Sequence, residues 1–226
     1  MPTAARSVSV VVPVLNDAPA LRSLLGALDG VNFEVIVVDG GSRDDSAQVG
    51  EQAGAQVIRS AANRGLQLDK GYRAATGDWI WMLHADAAPS PANVAEAAGW
   101  PSMAPGWGCF GVRLDGGTPL QLVAWMMNRR SALTGICTGD QGLFAHRKLL
   151  DAIGGVPRQP LMEDIELSKR LRRLTRPRRA HTLLSASGRR WRRHGAARTI
   201  ATMWWLRARY ALGASADNLY RHYYGR

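Results

Sequence analysis

Acidic residues follow three apolar runs of the sequence. Asp17, Asp39 and Asp86 each stand within three residues of the end of such a run. Carboxylates gathered in one place can bind a divalent metal ion or accept hydrogen bonds from the hydroxyls of a sugar or nucleoside. Any one of them alone is better explained as a helix cap or turn residue, since Asp is favoured in both positions. The three together favour a binding site.

The loop at residues 39–46 begins with its acid and continues with two glycines. It lacks the Gly-x-Gly-x-x-Gly pattern of dinucleotide-binding enzymes and the Gly-Lys-Ser/Thr of a P-loop. A carboxylate directly after a strand can accept hydrogen bonds from a base N–H or from ribose hydroxyls. Gly40 and Gly41 would let a nucleotide approach the backbone. The loop therefore predicts a nucleotide site of a different kind.

The elements that must position these residues alternate between strand and helix patterns. The runs at residues 7–14 and 33–38 are too uniformly apolar for a sheet with one wet face, so they predict buried parallel strands. In such sheets, ligands bind at the carboxyl ends of the strands, which places the acids along one edge. We predict further strands at 56–59, 78–83, 108–115 and 141–146, and helices near 21–28, 44–53, 66–75, 91–99, 119–131, 162–174 and 196–213.

The composition predicts one compact domain over residues 1–226, since 46% of the residues are hydrophobic and no long linker interrupts them. Cys109 and Cys137 are too few for a disulfide framework and lack metal-ligand spacing, which favours a reducing, cytoplasmic compartment. No apolar stretch approaches the roughly 18 residues that a membrane span needs.

Four segments resemble, in order, the motifs of family 2 glycosyltransferases: SVVVPVLND, VVDGGSRDDS, NRGLQLDKGYRAATGDWIWMLHAD and LMEDIELSKRLRR. The similarity covers most of residues 7–175 and is closest to small single-domain bacterial members. It implies an α/β, Rossmann-like GT-A nucleotide-diphosphosugar transferase fold, with a mostly parallel central sheet flanked by helices. It also implies a nucleotide-binding half over about residues 1–90 and an acceptor half over about 91–195.

The resemblance further implies an inverting transfer from a nucleoside-diphosphate sugar, with a preference for UDP, to an acceptor hydroxyl. The divalent metal would be Mn²⁺ or Mg²⁺. Asp39 would hold the nucleobase, while Asp86 keeps the last carboxylate of the family's Asp-x-Asp metal motif and His84 replaces the first. The residues implied for donor and acceptor-side binding are Pro13, Asn16, Asp17, Asp39, Arg64, Lys70, His84, Asp86, Asp140 and Gln141.

The pair Glu163-Asp164 matches the acidic pair near the family's acceptor site, where the Asp is the general base. An inverting transfer needs a carboxylate to take the proton of the attacking hydroxyl, and the resemblance implies Asp164 with Glu163 beside it. The alternative is an acidic first helical turn that complements the helix dipole, and both can hold. For Asp140 and Gln141 the alternative is a simple turn.

The last third of the chain is strongly basic. Residues 147–226 carry 19 Lys and Arg against 5 Asp and Glu, whereas residues 1–146 carry 10 against 13. The run at residues 189–194 could neutralise a diphosphate, and His194 could be a further metal ligand. The segment after residue 196 has the composition of a basic, interfacial amphipathic helix followed by a tail. This suggests binding to an anionic membrane surface on the cytoplasmic side, which would suit a lipid-linked acceptor.

Two alternatives remain open. A nucleotidyltransferase that makes activated sugars would need a Gly-rich, Lys-containing signature after the first strand, and residues 14–20 do not have it. A nucleic-acid-binding protein is suggested by the net charge of +11 and the eight tryptophans. Acidic strand ends would repel phosphate in the absence of metal, so we expect no nucleic-acid partner.

Overall fold

The computed structural model describes residues 7–188 and 195–225. The first half alternates strands and helices, as the apolar periodicity predicts. Its elements are β1 (Val8–Val14), α1 (Ala18–Ala27), β2 (Glu34–Asp39), α2 (Ser46–Gln52), β3 (Gln56–Arg59), α3 (Arg64–Ala74) and β4 (Trp79–Met82).

The second half is more irregular. Its elements are β5 (Ala87–Ala88), α4 (Pro91–Ala98), β6 (Trp107–Leu114), α5 (Thr118–Thr134), β7 (Phe144–His146), α6 (Arg147–Ala152), α7 (Glu163–Arg172), β8 (Arg178–Ala186), α8 (Ala196–Ala211) and α9 (Ala216–Tyr224). Short 3-10 helices span Trp100–Ser102 and Gly139–Gln141.

The strands within the described residues form one sheet in the order β3-β2-β1-β4-β7-β6-β8-β5. The pairs β3–β2, β2–β1, β1–β4 and β6–β8 are parallel, and the pairs β4–β7, β7–β6 and β8–β5 are antiparallel. The prediction of an α/β fold with a central sheet is confirmed. Its parallel character is continuous only from β3 to β4.

Strand register brings the predicted acidic loops together. Val14 at the end of β1 pairs with Asp39 at the end of β2, and Val11 pairs with Met82 at the end of β4. Because these strands are parallel, the segments that follow them leave the sheet at the same edge. The turn at residues 15–17 and the loop at residues 39–46 are therefore neighbours.

Strand β1 is buried on both faces of the sheet. In β1, Val10 and Val12 pack with the leucines of α1 on one face, and Val11 belongs to the core on the other face with Leu68 of α3. This two-sided burial explains why the strand is an unbroken apolar run. Four tryptophans also belong to these cores, namely Trp79, Trp81, Trp100 and Trp107.

Four elements have no counterpart in the sequence prediction: β5, α6, β8 and α9. Strand β8 begins with Arg178 and Arg179, and its inward residues are small or polar until Leu184, so its period of two is weak. The strand predicted at 141–146 begins only at Phe144, because Gly142 has a left-handed backbone that ends the preceding 3-10 turn. Within the described parts of the chain, no helix has the length and apolar character needed to cross a bilayer.

Candidate active site

The Asp39 side chain organises the loop that follows β2. It is almost fully buried, and its two carboxylate oxygens accept hydrogen bonds from the Ser42 N–H at 3.0 and 3.2 Å. This is the turn geometry that the sequence left open as an alternative. Each carboxylate oxygen can accept a second hydrogen bond, so the turn role does not prevent contact with a ligand.

The turn after β1 is tied to the same loop. Asn16, which has a left-handed backbone, receives a hydrogen bond on Oδ1 from the Arg43 N–H at 2.7 Å, and its own N–H donates to Ser42 Oγ at 2.9 Å. Pro13 is buried within β1, and the Asp17 N–H donates to Ser46 Oγ at 3.3 Å. The predicted nucleoside-facing residues are thus brought together at one end of β1 and β2.

Asp44, which the sequence analysis did not single out, holds the start of α1. Its carboxylate accepts hydrogen bonds from Ser46 Oγ at 2.6 Å and from the Ala18 N–H at 3.0 Å. The hydrogen bond from Ser46, followed by those from backbone N–H groups, lowers the pKa of Asp44 below its ordinary value. Asp17 is the N-cap residue of α1, but its side chain makes no capping bond to the helix.

Side chains of α3 donate hydrogen bonds to backbone carbonyls at the carboxyl ends of β1, β2 and β3. Gln67 is buried and donates from Nε2 to the carbonyl oxygens of Val14 and Val38 at 3.0 and 2.8 Å. Lys70 donates to the Arg59 carbonyl at the end of β3 at 3.1 Å. Sequence reasoning missed Gln67, because one amide on a helix gives no signal of which backbone carbonyls it will reach.

Arg64, at the start of α3, forms a salt bridge with the buried Glu163 at the start of α7. Gly65 allows α3 to lie against the segment that precedes α7, since a Cβ at that position would lie 2.3 Å from the Pro157 carbonyl oxygen. Burial acts to lower the pKa of Arg64, but the Glu163 and Asp164 carboxylates more than offset it and raise that pKa above its ordinary value. Burial raises the pKa of Glu163, against the opposing effect of Arg64.

The Glu163 side chain is only 1% exposed, and its Oε2 atom has no hydrogen-bond partner among the described residues. Asp164, the next residue, is more open. Its Oδ2 atom accepts a hydrogen bond from the Gly139 N–H at 3.0 Å, and its Oδ1 atom accepts one from the Ile165 N–H at 2.8 Å. The two acids therefore have different surroundings, although both lie in the first turn of α7.

His84 and Asp140 form a second polar pair beside Asp164. His84 Nδ1 lies 3.2 Å from Asp140 Oδ1. Gly139 is required here, since a Cβ at that position would lie 2.2 Å from His84 Nε2. A cavity of about 70 Å³ connects these groups, and its polar lining includes Arg64, His84, Asp140, Asp164, Arg207, Tyr223 and Tyr224.

Asp86 lies in a turn closed by the hydrogen bond from the Ala87 N–H to the His84 carbonyl at 3.0 Å. It is partly buried and does not line the cavity that joins His84 to Asp164. In residues 7–188 and 195–225, no group of three or more His, Cys, Asp and Glu side chains is arranged to hold a metal ion. The predicted ligand His194 lies outside the described residues.

Gln141 requires a correction. The sequence analysis placed it in contact with donor or acceptor, but the side chain is fully buried. Its Oε1 atom accepts from the Thr138 N–H at 3.1 Å, and its Nε2 atom donates to the Phe110 carbonyl at 3.4 Å. Both ends of the amide are used inside the protein, so Gln141 fixes the turn that carries Asp140.

The C-terminal helices cover α7. Leu206 of α8 is fully buried in a cluster with Met162 and Ile165, and Tyr210 donates a hydrogen bond to Glu166 Oε2 at 3.2 Å. The sequence did not identify Arg207, Tyr223 or Tyr224 as cavity residues. They are far from the motifs along the chain, and only the return of α8 and α9 over α7 places them there.

Residues 9–100 match the family model described as Glycosyl transferase family 2. A curated relative from Klebsiella pneumoniae subsp. pneumoniae, undecaprenyl-phosphate 4-deoxy-4-formamido-L-arabinose transferase, is 33% identical over 103 residues. That match covers 39% of this chain and 32% of the relative, so it spans about a third of the relative's length.

Solved structures match a larger part of the chain. The structure of S. aureus TarS residues 1–349 is similar over 80% of this chain and 60% of that one, with a TM-score of 0.64 and 19% identity. Glucosyl-3-phosphoglycerate synthase from Mycobacterium tuberculosis, in complex with Mn²⁺, UDP and glucosyl-3-phosphoglycerate, is similar over 80% of this chain and 71% of that one. Its TM-score is 0.58, and its sequence is 26% identical. These similarities confirm the predicted GT-A fold.

Proposed function

We propose that the chain, whose residues 9–100 match the glycosyl transferase family 2 model, transfers a sugar from a UDP-linked donor to an acceptor hydroxyl with inversion at the anomeric carbon. The observation that carries this proposal is the meeting of Asp164, the His84–Asp140 pair and Arg64 around one cavity. That cavity adjoins the sheet edge at which nucleotides bind in open α/β folds.

The donor nucleoside would lie over the turn of residues 15–17 and the loop of residues 39–46. Asp39 is held rigidly by Ser42 and can accept a further hydrogen bond from the base or the ribose. The Mycobacterium tuberculosis relative is described in complex with UDP, which supports the choice of uridine.

A divalent metal fits this donor set only in part. An imidazole nitrogen and carboxylate oxygens are ligands that Mn²⁺ accepts, and His84 and Asp140 already lie together with Asp86 in the turn that follows. With fewer than three ligands grouped in the described residues, the remaining positions would be filled by donor phosphate oxygens. When bound, Mn²⁺ or Mg²⁺ would stabilise negative charge on the departing diphosphate.

Asp164 would take the proton of the attacking hydroxyl. Two hydrogen bonds from backbone N–H groups orient the Asp164 carboxylate. Its position in the first turn of α7 restricts the movement of the backbone that carries it. Glu163 would act as a positioning residue, because it is buried against Arg64 and cannot reach an acceptor. This assigns the two neighbouring acids separate roles.

A membrane-bound acceptor would explain the apolar surface beside the site. Trp125 and Met126 of α5 and Trp204 of α8 are exposed by 58, 38 and 70%, and Met126 and Trp204 line one cavity. The Klebsiella relative is named as a transferase to undecaprenyl phosphate. We therefore propose peripheral binding to an anionic membrane, with the aromatic side chains at the lipid interface.

A thermal-shift panel of UDP-, GDP- and TDP-linked sugars, each with and without Mn²⁺, tests this function. We expect stabilisation by at least one UDP sugar that depends on metal, since a ligand that binds only the folded state raises the melting temperature. The Asp164→Asn variant should keep that stabilisation and lose transfer. Absence of any response to nucleotides would refute the proposal, and retained transfer would remove Asp164 from its role.

A further inference from the structure

A second cavity, between α5 and α8, contains two arginines to which the proposed catalytic chemistry assigns no role. Its volume is about 100 Å³, several times the roughly 10–15 Å³ that a single water needs by the same measure. Apolar side chains, among them Met126, Met203 and Trp204, form much of its wall. Its charged members are Arg130, Arg207 and Asp140.

Arg130 is the unusual member of this lining. Its Nε and Nη2 atoms are buried and have no hydrogen-bond partner among the described residues. Burial, followed by the nearby charge of Arg207, lowers the pKa of Arg130 to about 10. Burial also lowers the pKa of Arg207, against the opposing effects of Asp164 and Asp140. Two guanidinium groups therefore share a partly dry pocket, and unpaired buried N–H groups are rare in native proteins.

An anion with several acceptor oxygens would satisfy these N–H groups. A phosphate monoester carries close to two negative charges at neutral pH, and the guanidinium fork matches phosphate oxygens two at a time. Asp164 and Asp140 act on the pKa of Arg207, but no described carboxylate accepts a hydrogen bond from the Nε or Nη2 atom of Arg130. The charge on the walls thus favours phosphate over a neutral ligand.

The position of the cavity assigns it to the acceptor rather than to the donor. Helix α5 follows β6, and three strands, β1, β4 and β7, separate β6 from β2, whose end holds the proposed nucleoside site. Asp140 lines both this cavity and the one that contains Asp164, so the two are adjacent. A ligand in the second cavity could place another part of itself beside Asp164.

We propose that Arg130 and Arg207 bind a phosphate monoester carried by the acceptor, whose neighbouring apolar part packs against Met126, Met203 and Trp204. The proposal rests on the glycosyl-transfer function above and adds the chemistry of its acceptor. Two sources share this chemistry, a lipid phosphate and a small phosphorylated metabolite. The apolar wall favours the lipid.

Calorimetric titration of the full chain separates these sources. The ligands are octyl phosphate below its critical micelle concentration, glycerol 3-phosphate, and octyl glucoside as the neutral counterpart. We expect octyl phosphate to bind and octyl glucoside not to bind. Binding of glycerol 3-phosphate with equal affinity would support the phosphate site and assign it to a small metabolite. Failure of both phosphates, or equal binding of octyl glucoside, would overturn the proposal.

The matched variants are Arg130→Met and Arg129→Met, two neighbours on α5 of which only Arg130 lines the cavity. Arg130→Met should weaken octyl phosphate binding about tenfold or more, and Arg129→Met should leave it unchanged. The melting temperature of Arg130→Met without ligand should equal or exceed that of the parent, because removal of an unpaired buried charge is neutral or stabilising. A lower melting temperature would mean that Arg130 serves the fold and would overturn the proposal.

UDP binding in the same samples separates a failure of the phosphate site from a failure of the glycosyl-transfer function. Arg130→Met should bind UDP as the parent does, and an equal loss of UDP binding would assign the guanidinium to the donor and refute this inference alone. If the parent binds octyl phosphate but no nucleotide, the glycosyl-transfer proposal fails while the phosphate site stands.

Discussion

Removal of the Arg64 guanidinium should leave a carboxylate stranded in the protein interior. Glu163 is 1% exposed, and Arg64 is its only charged hydrogen-bond partner among the described residues. The Arg64→Met variant keeps most of the side-chain volume. In it, Glu163 would take up a proton, because a neutral carboxyl is less costly to bury than an unpaired carboxylate. The cost of the substitution is then limited by the cost of that protonation.

This limit can be worked out from the ordinary pKa of the acid. Protonation at pH 7 of a glutamate with an unfolded pKa of 4.5 costs about 1.4 kcal/mol for each of about 2.5 pH units, or about 3.5 kcal/mol. At pH 5 the same arithmetic gives about 0.7 kcal/mol. The folded-state pKa of Glu163 in the variant is raised, so its stability is present at low pH and is lost as the pH rises above the unfolded pKa.

Urea denaturation followed by circular dichroism at pH 5, 6 and 7 measures this effect. We expect Arg64→Met to lose stability steadily with rising pH, and Arg64→Met/Glu163→Gln to recover most of the loss at pH 7. Arg158→Met is the control, because its buried partner Asp69 keeps a second ion pair with Arg73. A loss that does not change with pH, or one no larger than that of the control, would refute the reasoning.

Three further predictions concern other parts of the molecule. Burial lowers the pKa of His146, so the folded protein should lose stability as the pH falls through the ordinary value of 6.5. The His146→Asn variant keeps an acceptor for the Lys148 N–H. Its melting temperature should depend less on pH between about pH 5 and pH 8 than that of the parent. Gly139→Ala should displace the His84 ring and weaken metal-dependent nucleotide binding about tenfold, whereas Gly26→Ala, which meets no atom within 4 Å, should bind nucleotide normally in the same titration. Trp204→Ser should reduce co-sedimentation with anionic vesicles, and equal binding of the parent to neutral and anionic vesicles would refute the membrane proposal.

The sequence was sufficient for the first half of the fold, from β1 to β4, because each signal there is local. The valines of β1 and β2 are buried on both faces, so their pattern does not depend on which helix covers them. The acidic residue at the end of β2 and its loop are likewise contiguous. The sequence could therefore predict that Asp39 and Asn16 lie at neighbouring strand ends, whereas their hydrogen bonds with Ser42 and Arg43 needed the structure.

The second half of the fold, from β5 to α9, depended on contacts between distant segments. Strand β8 was missed because its inward residues are small, and α9 was missed because its sequence was interpreted as a tail. Gln141 resembled a ligand contact because its neighbours match a family segment. In the structure the side chain is buried, and both ends of its amide form hydrogen bonds with backbone groups. Arg130 and Arg207 carry no motif, and their shared cavity exists only because α8 packs beside α5.

The most direct test of the account is a calorimetric titration of UDP-glucose and UDP-N-acetylglucosamine into the full chain in the presence of Mn²⁺. At least one of these donors should bind, EDTA should remove the binding, and Asp39→Ala should weaken it by about tenfold or more. Asp164→Asn should bind the same donor with unchanged affinity. Metal-independent binding, or binding that Asp39→Ala leaves intact, would contradict the proposed donor site.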